Sequence, residues 1–302
     1  MALDVLAAGI CTIDLIASVA TFPPPDGRMD MRAFTQSVGG IAAVAGVAAA
    51  RLGARVGVAG LVGDDAAGHA IRAALVVAGV DVALLSVSSD LATPTAVIIS
   101  AVAGGTRSIL NHPGIASFRL APSEAIARAA ETARVLHLDH TAFPLLADAV
   151  LPRCRAAGTL VSLDAGVAFP GIETYLPLID IYVTTDRQLA AMTGAGDVTH
   201  GLARVRAAGP RVVAATLGAD GSVGLAADGT AIVAPAFAVP IVDTTGAGDV
   251  FHGAFLQALL QGQAMAQALT FANAAAALSC RVVGGHPGCP TLAAVQALVA
   301  TR

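Results

Sequence analysis

Near its C-terminus the chain reads Asp243-Thr244-Thr245-Gly246-Ala247-Gly248-Asp249-Val250-Phe251-His252-Gly253-Ala254, and this segment constrains the structure more than any other. It follows an extended run, Ala236–Val242, and opens an apolar segment of helical spacing. The pattern predicts a helix that begins near Ala247, with first-turn N–H groups that have no acceptor in the helix. Glycines let an anion approach these groups closely, and the helix dipole favours negative charge there. Asp249 is expected beside this anion site.

The hexapeptide Thr-Gly-Ala-Gly-Asp-Val occurs twice, at 193–198 and at 245–250. The copy at 193–198 follows a helix-like segment, so Gly194 suits a left-handed helix end and Asp197 suits an N-cap. In the copy at 245–250, a carboxylate beside an anion site suits the transfer of a phosphoryl group to an alcohol. From these residues alone, a helix cap preceded by a glycine turn explains the second copy equally well.

The cations of this chain are all arginines. Its 302 residues include 17 Lys+Arg and 21 Asp+Glu, a formal net charge of −4, and no lysine is present. The chain therefore cannot use a Schiff-base lysine, a Walker-type phosphate loop or a protein-kinase lysine. The mild acidity and the lack of arginine clusters argue against nucleic acid as a partner.

The mean hydropathy of +0.75 raises the question of a membrane span. The longest uncharged stretch, 250–280, is interrupted by glutamines, His252 and Asn273, so it predicts no run of about 20 apolar residues. No signal peptide is visible at the N-terminus. The cysteines Cys11, Cys154, Cys280 and Cys289 show no CxxC spacing. We expect a cytoplasmic protein with reduced, buried thiols and no membrane partner.

Short apolar runs alternate with Ala/Leu/Arg segments of helical spacing, which predicts an α/β fold with a mostly parallel sheet covered on both faces. The expected strands include Val5–Ile10, Val56–Leu61, Val135–Leu138, Leu160–Leu163, Ile179–Val183, Val212–Thr216, Ser222–Ala226 and Ile232–Ala236. The expected helices include Ile41–Leu52, Ala66–Ala78, Pro122–Thr132, Leu145–Ala157 and His200–Ala208.

Two stretches do not fit this alternation. One is 12–36, which holds three consecutive prolines, and the other is 93–112, which reads as two strands around Gly104-Gly105. They form either a small sheet that stands off the main one or an edge hairpin and a long loop.

Several strings, taken together with 243–254, resemble the ribokinase-like (PfkB) carbohydrate kinases in that family's order. They are Gly9–Asp14, Gly39-Gly40, Arg51-Leu52-Gly53, Val62–Gly68 and Thr216–Gly221. The resemblance covers essentially the whole chain. It implies one ribokinase-like domain over 1–302, an α/β/α sandwich with a central mostly parallel sheet and a small β-sheet lid built from about 12–36 and 93–112.

The resemblance implies an ATP-dependent sugar kinase that uses Mg²⁺ to move the γ-phosphate to a primary hydroxyl of a sugar or sugar derivative. It makes Asp249 the general base and forms the anion hole from Gly246, Ala247 and Gly248. It places sugar contacts at Asp14, Gly39 and Gly40, and the nucleotide site at Thr185, Thr216, Gly218, Gly221 and Asn273. It further implies a monovalent cation such as K⁺ near Asp243 and a homodimer formed through the lid.

Three positions depart from the family pattern. Val44 stands where an Asn usually follows the Gly-Gly pair, Thr185–Gln188 replaces the Asn-x-x-Glu of the Mg²⁺-phosphate site, and Thr12 replaces a frequent Asn. These changes make ribose itself a less expected substrate. Two alternatives stay open: a nucleoside kinase of the same fold, and a sugar-binding regulator with impaired catalysis.

Within the family, the strings around Gly39-Gly40, Asn111-His112-Pro113 and 242–254 look closest to the sulfofructose kinase branch. That branch holds an anionic sugar tail with a cation after a lid glycine, an Asn and an Arg. Arg28 and Asn111 match the first two, and His140 stands at the third position. Because histidine is half charged only near pH ~6.5, selection for a tetrahedral anion should be weaker here. Arg107 is either a further anion contact or a solvated edge charge.

Overall fold

The computed structural model describes residues 2–101, 103, 106–112, 119–167 and 169–302. The strands, in chain order, are β1 Val5–Ala8, β2 Thr12–Val19, β3 Ala33–Gly39, β4 Val56–Gly63, β5 Asp81–Ser88, β6 Thr95–Ala101, β7 Thr106–Asn111, β8 Val135–Leu138, β9 Leu160–Ala165, β10 Ile181–Thr185, β11 Val212–Thr216, β12 Ser222–Leu225 and β13 Ala231–Ala234. The helices are α1 Ile41–Arg51, α2 Ala66–Val77, α3 Glu124–Thr132, α4 Phe143–Ala157, α5 Ile172–Tyr175, α6 Asp186–Thr193, α7 Val198–Ala207, α8 Ala247–Leu260, α9 Met265–Ser279, α10 Gly285–Gly288 and α11 Leu292–Val299.

The main sheet has nine strands within the described residues, in the order β13-β12-β11-β10-β9-β8-β1-β4-β5. From β11 to β5 neighbouring strands are parallel, and only β12 runs in the opposite direction, so that it pairs antiparallel with β11 and with β13. The central strands are short runs of Val, Leu and Ala that are buried along their whole length, as expected where helices cover both faces. The predicted mostly parallel sheet is confirmed.

Two hydrophobic layers sandwich this sheet. One face packs against α1, α2, α8, α9 and α11, and the other against α3, α4, α6 and α7. Alanine and glycine fill much of the first layer; a side chain on Gly253 of α8, for example, would lie 2.3 Å from Ala45 O of α1. The small-residue composition thus serves close helix packing, and the described part of the chain contains no helix long and apolar enough to cross a membrane.

A separate small sheet of four strands occurs in the described residues, in the order β3-β2-β6-β7. Its strands come from the two stretches that break the βα alternation, and β6 and β7 pair antiparallel as a hairpin. Gly104-Gly105, the predicted turn of that hairpin, lies outside the described residues. The α/β/α sandwich with a small accessory sheet is therefore the observed fold.

The expected strands and helices are present, with ends that differ by at most two residues, and two differences have a structural cause. The prediction omits β5, whose residues alternate between buried and exposed at the edge of the main sheet. Helix α3 begins at Glu124 instead of Pro122, because the Ser123 hydroxyl accepts a hydrogen bond from Ile126 N and so caps the helix there.

Candidate active site

Functional side chains collect where the parallel strands end. Asp139 follows β8, Asp164 lies near the end of β9, Thr185 ends β10 and Thr216 ends β11. Because parallel strands present their carboxyl ends at one edge of a sheet, these residues share one rim. This edge is where open α/β sheets bind their ligands.

The N-terminus of α8, where the sequence predicts an anion site, lies at this rim. Gly246 has a positive φ of 75°, and a Cβ there would lie 2.6 Å from Gly285 Cα, so glycine is required for both reasons. The turn uses the N–H of Ala247, which donates to Thr244 O at 3.3 Å. Gly248 is exposed and has open space where a side chain would stand. The N–H groups of Gly248 and Asp249 therefore face a site that an anion can reach.

The copy of the hexapeptide at 193–198 has the predicted structural role. Gly194 ends α6 in the left-handed conformation at φ 64°, and Asp197 caps α7 by accepting hydrogen bonds from Thr199 N and His200 N. The same six residues thus terminate and start helices at one place and begin α8 at the other. What differs is the context: only the second copy opens onto the rim of the main sheet.

Asp249 is half-buried in the first turn of α8. Burial raises the pKa of its carboxyl well above the ordinary value, and the charges of Asp164 and Asp14 raise it further. The positive charge of Arg107 lowers the pKa of Asp249. A carboxyl with a raised pKa beside free backbone N–H groups can take a proton from an alcohol.

The small sheet contributes Asp14, which is 6% exposed. The Thr12 hydroxyl donates to Asp14 Oδ1 at 2.8 Å and so orients the carboxylate. Gly39 lies beside it, since a Cβ there would be 2.0 Å from Asp14 Oδ2, and Gly40 has a φ of 90° at the start of α1. Gly39 thus makes room for Asp14, and Gly40 allows the close approach of Ile10 O, which would lie 2.4 Å from a Cβ there. Val44, on the first turns of α1, packs under Gly246 and carries no polar contact to a sugar.

Two side chains of the small sheet hold the loop that leads to the anion site. Ser100 on β6 and Arg107 on β7 are directly opposite each other in the ladder, so they point to the same face. Ser100 Oγ donates to Asp243 Oδ1 at 3.2 Å, and Arg107 Nη1 donates to Thr244 Oγ1 at 2.9 Å. Arg107 is thus exposed but anchored to the loop that leads to the start of α8.

Asp243, the residue expected near a monovalent cation, is buried and surrounded by donors. Its carboxylate accepts hydrogen bonds from Ser100 Oγ, from the N–H and hydroxyl of Thr245, and from Gly284 N. These four hydrogen bonds balance its charge. The residue therefore fits a structural knot between two loops and the small sheet, and it does not fit a cation ligand.

The three residues expected to hold an anionic sugar tail do not all meet. Asn111 is paired with Ala96, which is paired with Asp14, so Asn111 shares the face of Asp14. Arg28 is exposed and lines a groove with Ala17 and Ile99, which point to the opposite face of the small sheet. The structure thus separates Arg28 from Asp14 within one chain.

His140 lies two residues beyond the end of β8, beside Asp139. Its Nδ1 atom is buried and has no hydrogen-bond partner among the described residues. This unsatisfied nitrogen is consistent with a pocket residue that binds a ligand.

The predicted nucleotide residues form a loop after β11 and the end of β10. Gly218 and Gly221, both at positive φ, close a tight turn in which Leu217 N donates to Gly221 O. Thr185 caps α6 through a hydrogen bond from Gln188 N. Asn273 has a structural contact instead: its side-chain N–H₂ donates to Ala234 O at 2.8 Å and Pro235 O at 3.3 Å, tying α9 to the end of β13.

Asp139 and Asp164 are site residues that the motifs did not single out. Asp139 is fully buried and accepts hydrogen bonds from Ile10 N, Thr141 N and Oγ1, and Ala142 N, which fixes the loop after β1. Burial raises the pKa of both carboxyls. The available signal was an Asp at or just after the end of a predicted core strand, in Leu138-Asp139 and Leu163-Asp164.

Comparison with known proteins agrees with this geometry. The family model described as pfkB family carbohydrate kinase matches residues 2–292. The chain is 34% identical to an ATP-dependent ribose-1-phosphate kinase of Halopiger xanaduensis, over 99% of this chain and 98% of that protein. It is 30% identical to a ribokinase of Bacillus subtilis, over 98% and 99% of the two chains. The structure of Arabidopsis thaliana ribokinase complexed with ribose and ATP superposes with a TM-score of 0.86 at 26% identity, covering 99% of both chains. The chain belongs to the pfkB family of carbohydrate kinases.

Proposed function

We propose that Asp249 is the general base of this ATP-dependent sugar kinase. It takes the proton of a primary sugar hydroxyl while the oxygen attacks the γ-phosphorus of ATP, and ADP leaves. The N–H groups at the start of α8 stabilise the charge on the transferring phosphoryl group. The observation that carries the proposal is that Asp249, with its raised pKa, stands in the same helical turn as those free N–H groups.

The sugar is held between the small sheet and the rim of the main sheet. Asp14 accepts hydrogen bonds from sugar hydroxyls, and the backbone of Gly39 and Gly40 borders the sugar beside it. His140 and Asn111 border the same space and give the site its selectivity. Arg28 is left out of this chain's own sugar site, because it lies on the other face of the small sheet.

ATP binds along the loop after β11, where Gly218 is exposed and Thr216 ends the strand. Thr185–Gln188 does not fit a Mg²⁺ ligand set: the Thr185 hydroxyl caps α6, and Asp186 is exposed and accepts a hydrogen bond from Arg187 N. Mg²⁺ is commonly held by substrate phosphates, waters and at most one or two carboxylates. In this proposal it arrives with ATP, and a monovalent cation at Asp243 is not part of the site.

The substrate class follows from the relatives and the site together. Relatives named ribose-1-phosphate kinase and ribokinase act on pentoses, and this pocket adds a histidine at the position where an anionic tail would lie. We therefore propose a pentose or ketose substrate, free or phosphorylated. The nucleoside kinase of Methanothermobacter thermautotrophicus, 29% identical, keeps a nucleoside as the second candidate.

Release of ADP tests this assignment. The chain is incubated with MgATP and, separately, ribose, ribose-1-phosphate, fructose and adenosine. We expect one of the sugars to support the highest kcat/KM. A preference for adenosine would make the chain a nucleoside kinase, and no ADP release with any of the four would favour a sugar-binding regulator.

We further propose that residues 1–302 act as one domain in which the small sheet is the lid, and that two chains pair through its outer face. That face, which carries Ala17, Phe34, Val97 and Leu110, exposes three large apolar side chains. The four cysteines are free and buried, which suits a reducing compartment such as the cytoplasm.

A further inference from the structure

A row of buried polar side chains lies beneath the first turns of α8, and no step proposed above uses it. His137 on β8 is paired with Ser162 on β9, and its Nδ1 lies 3.2 Å from Ser162 Oγ. The rings of His137 and His252 have centroids 5.8 Å apart, and Nε2 of His252 lies 3.4 Å from Oδ2 of Asp164. Each of these four residues is at most 5% exposed.

The row connects to Asp249 through helix geometry. Asp249 and His252 are three residues apart in α8, so their side chains lie on the same side of the helix. Asp164 faces this side from β9, and its other oxygen, Oδ1, accepts a hydrogen bond from Gly166 N at 2.8 Å. One oxygen of the Asp164 carboxyl is thus held by a backbone N–H, and the other lies within 3.4 Å of the His252 imidazole.

We propose that His252 is a positioning residue that holds the carboxylate of Asp164 against the catalytic turn, beside Asp249. The proposal rests on the assignment of Asp249 as the general base. His137 supports the arrangement by packing on His252 from β8, and its own contact with Ser162 fixes its orientation.

The charge states explain why a histidine suits this place. Burial lowers the pKa of His252 and of His137 to about 3, so both rings are neutral near pH 7. A neutral imidazole offers one N–H to a carboxylate without cancelling its charge. The negative charge of Asp164 then raises the pKa of Asp249, which makes Asp249 a stronger base for a hydroxyl proton.

Other charged and titratable groups also face Asp249 and Asp164, and they influence the pKa values of these two carboxyls as well. Among the described residues, the groups that face Asp249 or Asp164 from the surrounding elements are Asp14 on β2, Arg107 on β7, His137 on β8, Asp139 and His140 after β8, Tyr182 on β10 and Cys289 after α10.

Titration of the Asp249 carboxyl tests the proposal without any substrate. The full chain is labelled with ¹³C-carboxyl aspartate, and the Asp249 signal is assigned by its loss in Asp249→Asn. In Asp164→Asn the midpoint should move to lower pH, because one neighbouring negative charge is removed. His252→Leu should move it in the same direction, because Asp164 loses the group that holds it. His252→Gln, which keeps an N–H donor, should stay near the wild type.

The pH dependence of kcat/KM supplies a second test of the proposal, with a matched control variant. For a sugar that supports turnover, the acidic limb of kcat/KM against pH should shift to lower pH in Asp164→Asn and His252→Leu. Gln257→Leu is the control, because Gln257 is also buried on α8 but its side chain donates to Leu52 O. Its loss should lower the melting temperature and leave the acidic limb of kcat/KM at the same pH. The proposal is overturned if neither Asp164→Asn nor His252→Leu changes the titration midpoint of Asp249 or the pH of the acidic limb of kcat/KM.

The two assignments fail separately. If Asp249→Asn turns over sugar as fast as the wild type, the base assignment is wrong, and the role of His252 falls with it. If Asp249→Asn is inactive but neither Asp164→Asn nor His252→Leu moves the titration of Asp249, only the positioning role of His252 is wrong.

Discussion

Buried carboxyls are the distinctive residues of this site. Asp14, Asp139 and Asp164 are each at most 6% exposed, and Asp249 is half-buried. Arg107 is the one cation among the groups that act most strongly on Asp249 within the described residues. A site of this charge suits hydroxyl-rich ligands, because carboxylates accept their hydrogen bonds, and it leaves the stabilisation of phosphoryl charge to backbone N–H groups and to the metal that ATP brings.

Asp14 should make the ligand-free protein less stable as the pH rises. Burial raises its pKa from 3.8 to about 6, against the lowering effect of the Thr12 hydroxyl. Between these two values the unfolded chain has already released the proton that the folded protein keeps, so the free energy of unfolding falls as pH rises from about 4 to about 6. In Asp14→Asn this part of the fall, on the order of 3 kcal/mol, should disappear.

Denaturant unfolding at a series of pH values between about 4 and 7 measures this effect. The difference between the wild type and Asp14→Asn should grow smaller toward the acidic end, where Asp14 is neutral in both folded and unfolded chains. Parallel curves for the two proteins over the whole range would show that Asp14 titrates normally in the folded state.

At the scale of elements, the two copies of Thr-Gly-Ala-Gly-Asp-Val show how far local sequence determines structure. Both copies begin a helix within a few residues, and in each the Gly that follows Thr has a positive φ. Their different roles come from what precedes them: α6 in one case, and an extended segment at the rim of the main sheet in the other. That context was visible in the sequence, so the helix ends at both copies could be predicted, and the anion site at the second copy stays a prediction.

The small sheet was harder to predict, because a strand's face depends on its register with its neighbours. The strands β2, β6 and β7 fall where the pattern and the resemblance place them. The pairing of Asp14 with Ala96 and of Ala96 with Asn111 puts Asn111 on the active face. Arg28 lies in the loop between β2 and β3, where no periodicity applies, and its position on the opposite face could not be inferred.

The outer face of the small sheet should form a dimer interface. Phe34, Val97 and Leu110 are 60%, 42% and 55% exposed there, a cluster of apolar area that a partner would cover. Light scattering should give a mass of twice 29.8 kDa for the wild type and of 29.8 kDa for Val97→Asp. Val233→Asp, at an exposed position on the edge strand β13 of the main sheet, is the control and should keep the larger mass. A wild type that is monomeric at micromolar concentration would contradict the proposed interface.

For the molecule as a whole, the alternation of buried strands and helices was enough to predict a mostly parallel sheet covered on both faces, and the family resemblance implied the α/β/α sandwich. The site was predictable where a motif is contiguous, as in Gly246–Asp249. It was not predictable where residues meet only through the sheet order. Asp139 and Asp164 stand at the ends of adjacent strands β8 and β9, and His252 reaches Asp164 from α8. Such a cluster becomes visible only when the strand order is known.

Absence of lysine also has a consequence for the whole molecule. In the proposed mechanism the protein can bind the phosphoryl group only through backbone N–H groups and arginine, and Arg107 lies near the start of α8 because β7 pairs with β6 and both strands hold the Asp243–Thr244 loop. The small sheet thus connects Asp14, the proposed sugar contact, to the start of α8.

The turnover number of Asp249→Asn, measured beside that of Asp197→Asn, tests the central claim most directly. The two substitutions are identical and fall at the same position of the same hexapeptide. Asn caps a helix about as well as Asp does, so Asp197→Asn should keep the wild-type kcat. Asp249→Asn should lose roughly 10²–10⁴-fold in kcat while still binding ATP, because the general base is gone. A wild-type kcat in Asp249→Asn, or equal losses in both variants, would contradict the account.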